Sequence, residues 1–135
     1  MAAYATDTSK STVLKVDEDE SYTIVIPAEL NISFGATETA LDVEVTALRT
    51  YSTGTIPNSV RALHVKADCD QKLENQNGET ITYTIKSDAS QSNMLYFTET
   101  GAKRYTVGIT EDAWNAAASG SYSDTVSFEI WIANY

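Results

Sequence analysis

Apolar and polar residues alternate with a period of two along most of the chain. The longest such run is GSYSDTVSFEIWIANY, from Gly120 to Tyr135. Tyr122, Val126, Phe128, Ile130 and Ile132 share one parity and Ser123, Thr125, Ser127 and Glu129 the other, so the run reads as one long half-buried strand, central or nearly central in its sheet. Only Asp124 interrupts the apolar series. Leu41, Val43, Val45 and Ala47 alternate with Asp42, Glu44 and Thr46, a strand with one face in water. The same period recurs at Tyr22, Ile24 and Ile26, at Leu63, Val65, Ala67 and Cys69, at Ile81, Tyr83 and Ile85, and at Tyr105, Val107 and Ile109. Thr12–Val16 and Met94–Phe97 are shorter extended pieces.

Turn chemistry separates these runs. The like charges of Asp17–Glu20, the Pro27 that ends one strand, the Thr50–Ser59 segment with Gly54, Pro57 and Asn58, and the Asn77-Gly78 dipeptide all favour reversals. Helical signals gather only in TEDAWNAAAS, where Thr110 can cap, Glu111 and Asp112 suit a helix N-terminus and Gly120 can end the helix. Short strands at this spacing predict an all-β, immunoglobulin-like antiparallel β-sandwich of seven to nine strands with a helical turn near 111–118, a small closed barrel being the alternative. The expected core is Tyr22, Ile24, Leu41, Val43, Leu63, Val65, Ile81, Tyr83, Val107, Val126, Phe128 and Ile130. Residues 1–11 lack any period and read as a flexible arm ahead of a single domain over 12–135.

Charge narrows the partners. Nine Lys and Arg against 19 Asp and Glu give a net charge of −10, which repels nucleic acid and anionic membranes, and no apolar run is long enough for a membrane helix. Eighteen threonines and 13 serines against three phenylalanines fit polar sheet faces in an exported chain whose signal peptide has been removed. The single cysteine, Cys69, cannot close an intramolecular disulfide.

Two stretches carry a family resemblance. Trp114, the alanines Ala116–Ala118, Gly120, Tyr122, Asp124, Thr125 and Phe128 together resemble secreted immunoglobulin-like surface proteins of Gram-positive bacteria, and the Gly-Ser-Tyr-Ser-Asp-Thr ending is similar to spore-coat-U and fimbrial-type subunits. SYTIVIPAELNISFG resembles the opening strands of the same surface proteins. The resemblance implies an extracellular or cell-surface setting and a subunit of an appendage or matrix. It implies no catalytic residue, and the paired cysteines common in fimbrial-type subunits are missing.

Candidate chemistry is sparse. His64 falls on the polar parity of its strand and is expected to face solvent, and Cys69 falls on the apolar parity as a small buried group. Asp17–Glu20, Asp68 and Asp70 offer hard oxygen ligands without the spacing of a calcium loop, so neither metal nor other cofactor is expected. Lys15, Glu44 and Asn134 are the set that strand order nominates for an isopeptide, against which stands the wet parity of Glu44. Trp131, on the polar parity of the last strand, and Tyr51, in the 50–59 loop, are the candidate ligand-binding aromatics, for example on a cell-surface glycan. Thr12, Val13, Leu14, Lys15 and Val16 are the candidate self-association segment, able to add as a strand to a neighbouring copy. The expected function is a non-enzymatic structural or adhesive subunit, with a carbohydrate-binding module as the competing class.

Overall fold

A computed structural model describes residues 12, 14, 20–50 and 60–135. Among the described residues nine strands and one short helix follow one another as β1 (Ser21–Val25), β2 (Glu38–Arg49), β3 (Arg61–Asp68), β4 (Lys72–Glu74), β5 (Thr80–Thr82), β6 (Thr84–Ser87), β7 (Met94–Phe97), β8 (Gly101–Gly108), α1 (Glu111–Ala116) and β9 (Ser127–Asn134). All pairings are antiparallel. One sheet has the order β1-β2-β8-β6, a second the order β7-β3-β9, and β4 and β5 form a separate hairpin. The protein is an all-β sandwich of a four-stranded and a three-stranded sheet.

The core lies between the two larger sheets. Leu41, Val43 and Val45 of β2, Tyr105 and Val107 of β8 and Ile85 of β6 meet Leu63, Val65 and Ala67 of β3 and Leu95 and Phe97 of β7, all buried. The Tyr105 hydroxyl lies 3.0 Å from both the Val65 and the Asn93 carbonyl oxygens, tying the first sheet to the second from the inside. Seven of the expected core residues, Leu41, Val43, Leu63, Val65, Ile81, Tyr83 and Val107, are buried. Ile24, Val126, Phe128 and Ile130 are half-buried against them.

Four expectations need correction. Tyr22 is 39% exposed, because it sits at the outer end of the short edge strand β1 opposite Leu48, past a register break between Thr23 and Ile24. The same break skips Thr46 on β2, so that Ala47 turns outward and Leu48 inward, reversing the parity beyond Val45. The 81–85 run is two strands, since the Tyr83 N–H donates to the Gln71 carbonyl at 3.0 Å and the chain passes there from the hairpin to the large sheet. The C-terminal strand is shorter than its alternation and is not central. Among the described residues, 120–126 pair with a strand only through an isolated bridge from Ser123 to Glu74, and β9 has β3 as its one partner.

Local signals place the remaining pieces. Thr110 caps α1 by accepting from the Ala113 N–H at 3.1 Å, and the helix ends at Ala117 in extended backbone, three residues before the expected Gly120. In the β4–β5 loop the Asn75 carboxamide oxygen accepts from the N–H groups of Asn77 and Glu79, and Gly78 supplies the left-handed φ of 82°. Trp114 closes one end of the sandwich and donates its indole N–H to the Ala36 carbonyl at 2.8 Å.

Candidate functional site

The first candidate is the edge of β9 away from β3, which pairs with no strand among the described residues. With eight residues, β9 is longer than the other edge strands β1, β6 and β7, and SFEIWIAN contains no proline, no glycine and one charge, Glu129. Natural edges are commonly blunted by lysine, proline or bulges, and β9 has none of these. Its inward side chains Phe128, Ile130 and Ile132 are only half-buried, whereas Leu63 and Val65 on the neighbouring β3 are fully buried. The sandwich is therefore less completely closed along β9 than along its centre.

The outer face of the same sheet carries an aromatic row. Strand register sets Tyr96, His64 and Trp131 side by side across β7, β3 and β9. The His64 ring stacks on Trp131 at 5.2 Å with an interplanar angle of 4°, meets the edge of Tyr96 at 5.0 Å and lies 6.4 Å from Tyr135. Tyr96 and Tyr135 are in turn 5.0 Å apart. These rings leave His64 only 9% exposed, so the expected solvent-facing histidine is instead enclosed, and its Nε2 has no hydrogen-bond partner among the described residues. Trp131 is 37% exposed and Tyr135 more so.

The third feature is a cavity of about 600 Å³ at the end of the sandwich capped by α1, between the chain after β1 and the chain entering β9. Leu41, Ile85, Val107 and Phe128 contribute apolar wall, and Phe34, Tyr83, Trp114 and Tyr122 contribute further rings. Inside it the Tyr83 hydroxyl donates to Asp124 Oδ2 at 2.5 Å. Asp124, the residue that interrupts the apolar series of the last strand, is thus a half-buried carboxylate on the inward parity. Burial, then the bond to Asp124 and the neighbouring Cys69, push the Tyr83 phenol well above its ordinary range, so it remains a proton donor. Cys69 is half-buried against the core, as its parity predicts.

Of the residues nominated from sequence, Trp131 lies in the aromatic row, while Tyr51 lies outside the described residues. In the candidate association segment Thr12 and Leu14 adopt no regular secondary structure, and Val13, Lys15 and Val16 lie outside the described residues. The N-terminal arm 1–11, most of the Asp17–Glu20 turn and the 51–59 loop are likewise outside them. Glu20 is described and accepts from Arg61, Nε to Oε2 at 3.0 Å and Nη2 to Oε1 at 2.5 Å. Of the isopeptide set, Lys15 lies outside the described residues, Glu44 is exposed in the β2 sheet, and Asn134 ends β9 in the other sheet and accepts from Arg61. Sequence reasoning missed Tyr96, Tyr135 and the pairing of Tyr83 with Asp124. The first two gain meaning only from cross-strand register, while the charge at Asp124 on an apolar parity was a visible signal for the third.

Among the described residues no three His, Cys, Asp or Glu side chains are gathered for a metal ion, and no helix is long and apolar enough to cross a membrane. No family model, no curated protein and no solved structure matches the chain.

Proposed function

We propose that the protein is a non-enzymatic structural subunit of the cell surface or extracellular matrix that assembles by adding a strand of a second copy along β9. The observation that carries this reading is the long, unblunted β9 edge with its half-buried inward row Phe128, Ile130 and Ile132. A strand laid there satisfies the outward backbone groups of β9 and covers apolar surface that one copy leaves partly in water. Within the sequence, Thr12–Val16 has the alternation an added strand needs, with Lys15 limiting indiscriminate pairing. The extracellular setting rests on composition and on the resemblance of the 21–35 and 114–135 stretches to surface subunits.

Concentration-dependent growth in light scattering, with fibres in electron micrographs, is the expected behaviour of the purified chain. A free peptide of residues 1–20 in excess should suppress that growth without changing the melting temperature of the monomer. Protein that remains monomeric at all concentrations contradicts the subunit reading, and growth indifferent to the peptide contradicts the N-terminal segment as connector.

The competing reading, a carbohydrate-binding module, gains from the aromatic row. Trp131, Tyr96 and Tyr135 offer clustered rings whose polar tips make no hydrogen bond within the described structure, the surface on which sugar rings stack. Glycan-array binding that disappears in Trp131→Ala, with assembly absent, would place the protein in that class instead.

A further inference from the structure

We propose that the cavity beneath α1 is a binding site for an organic ammonium cation, a positively charged nitrogen carried on a small apolar body. At about 600 Å³ it falls within the range of small-molecule sites, and its walls combine apolar side chains and aromatic rings with polar surface in comparable measure. Its charge is one-sided. Asp124 lies inside and Glu29 also contributes to the lining, whereas no lysine, arginine or histidine is found among the described lining residues. Among the described residues Asp124 receives one hydrogen bond, from Tyr83, and meets no cationic side chain, so its half-buried carboxylate is left with its charge unmatched there.

Aromatic rings supply the second half of the site. An ammonium group is drawn to the negative face of an aromatic ring, by about 0.5–2 kcal/mol per contact depending on how far water is excluded. Trp114 and Tyr122 donate their polar tips to the Ala36 and Ala118 carbonyls, which fixes both rings in the lining of the cavity. Phe34 stands 91% exposed and tilts against Trp114 at 5.4 Å. Both rings line the cavity, so a ligand seated beside Trp114 would also meet Phe34. A neutral apolar ligand would leave Asp124 unmatched and more deeply desolvated, and an anion would meet two carboxylates. The cation is the ligand class that answers both the charge and the rings.

Choline and its neutral carbon isostere 3,3-dimethylbutan-1-ol separate the charge from the shape. Titration of each into the isotopically labelled protein, followed by nuclear magnetic resonance, reads the Trp114 indole N–H and the backbone from Ser123 to Val126. Choline is expected to shift these signals saturably, with an affinity at least about tenfold above that of the alcohol, a difference of about 1.4 kcal/mol. Asp124→Asn keeps an acceptor for Tyr83 and removes the charge, and it should lower choline affinity to that of the alcohol. Equal binding of the two probes, no saturable shift with choline, or choline affinity unchanged in a folded Asp124→Asn protein would overturn the assignment. The comparison of the two probes on the unaltered protein decides the matter even where the variant fails to fold, and it is independent of assembly along β9.

Discussion

Tyr105 and Tyr83 show how single polar groups are placed inside an otherwise apolar sandwich. Each brings a hydroxyl into the interior, and each finds an acceptor, the Val65 and Asn93 carbonyls for Tyr105 and the Asp124 carboxylate for Tyr83. Removing the hydroxyl in Tyr105→Phe leaves buried carbonyls without that donor and should cost about 1–2 kcal/mol in chemical denaturation. Burial raises both phenols above their ordinary value of 10.0, for Tyr83 with a further push from Asp124. The folded pKa therefore exceeds the unfolded one, and the linkage has a definite sign. Stability from these groups is intact below pH 10 and falls as pH rises past it, because the unfolded chain then releases protons that the folded chain keeps. Absorbance titration of the phenolates should show Tyr83 and Tyr105 ionising only as the protein unfolds. The double variant Tyr83→Phe, Tyr105→Phe should lose less stability between pH 9 and pH 11 than the unaltered protein, and an equal loss would contradict the assignment.

At the scale of elements, alternation told which side of a strand faces inward, and it did so for β2 as far as Val45, for β3, for β8 and for β9. It could not tell where a strand stops pairing. Residues 120–126 keep the apolar and polar rhythm of β9 yet leave the ladder, because their inward side chains Tyr122, Asp124 and Val126 line a cavity in place of a packed sheet face. Nor could it place a bulge, since skipping Thr46 inverts the parity of Ala47 and Leu48 without any change in their chemistry. His64 was misread for a related reason. Its polar parity was correct, but the rings of Tyr96 and Trp131 that enclose it come from strands far away in sequence. The difference between centre and edge has an energetic counterpart. Phe97→Ala empties a fully buried position and should cost about 3–5 kcal/mol, while Phe128→Ala, half-buried on β9, should cost clearly less. Equal losses in paired denaturation curves would show that β9 is sealed more tightly than its exposure indicates.

For the whole molecule, the charge of −10 opposes the strand addition proposed along β9. Copies that approach to pair must first overcome mutual repulsion, which salt screens over a Debye length of about 10 Å at 0.1 M and about 30 Å at 0.01 M. Assembly should therefore quicken as ionic strength rises across that interval, the reverse of what an association driven by complementary charges would show in the same light-scattering assay. The fold class was legible from the chain because strand periodicity and turn residues are local properties. The aromatic row, the Asp124 cavity and the β9 edge were not, since each depends on which strands become neighbours.

Residue-resolved hydrogen exchange, compared between monomer and assembled protein, addresses strand addition along β9 most directly. Backbone amides of β9 that point away from β3 should exchange rapidly in the monomer and become strongly protected after assembly, while those of β3 and β8 stay protected throughout. Assembled protein in which β9 exchanges as it does in the monomer, with new protection confined to β1 or to the β4–β5 hairpin, would contradict the account.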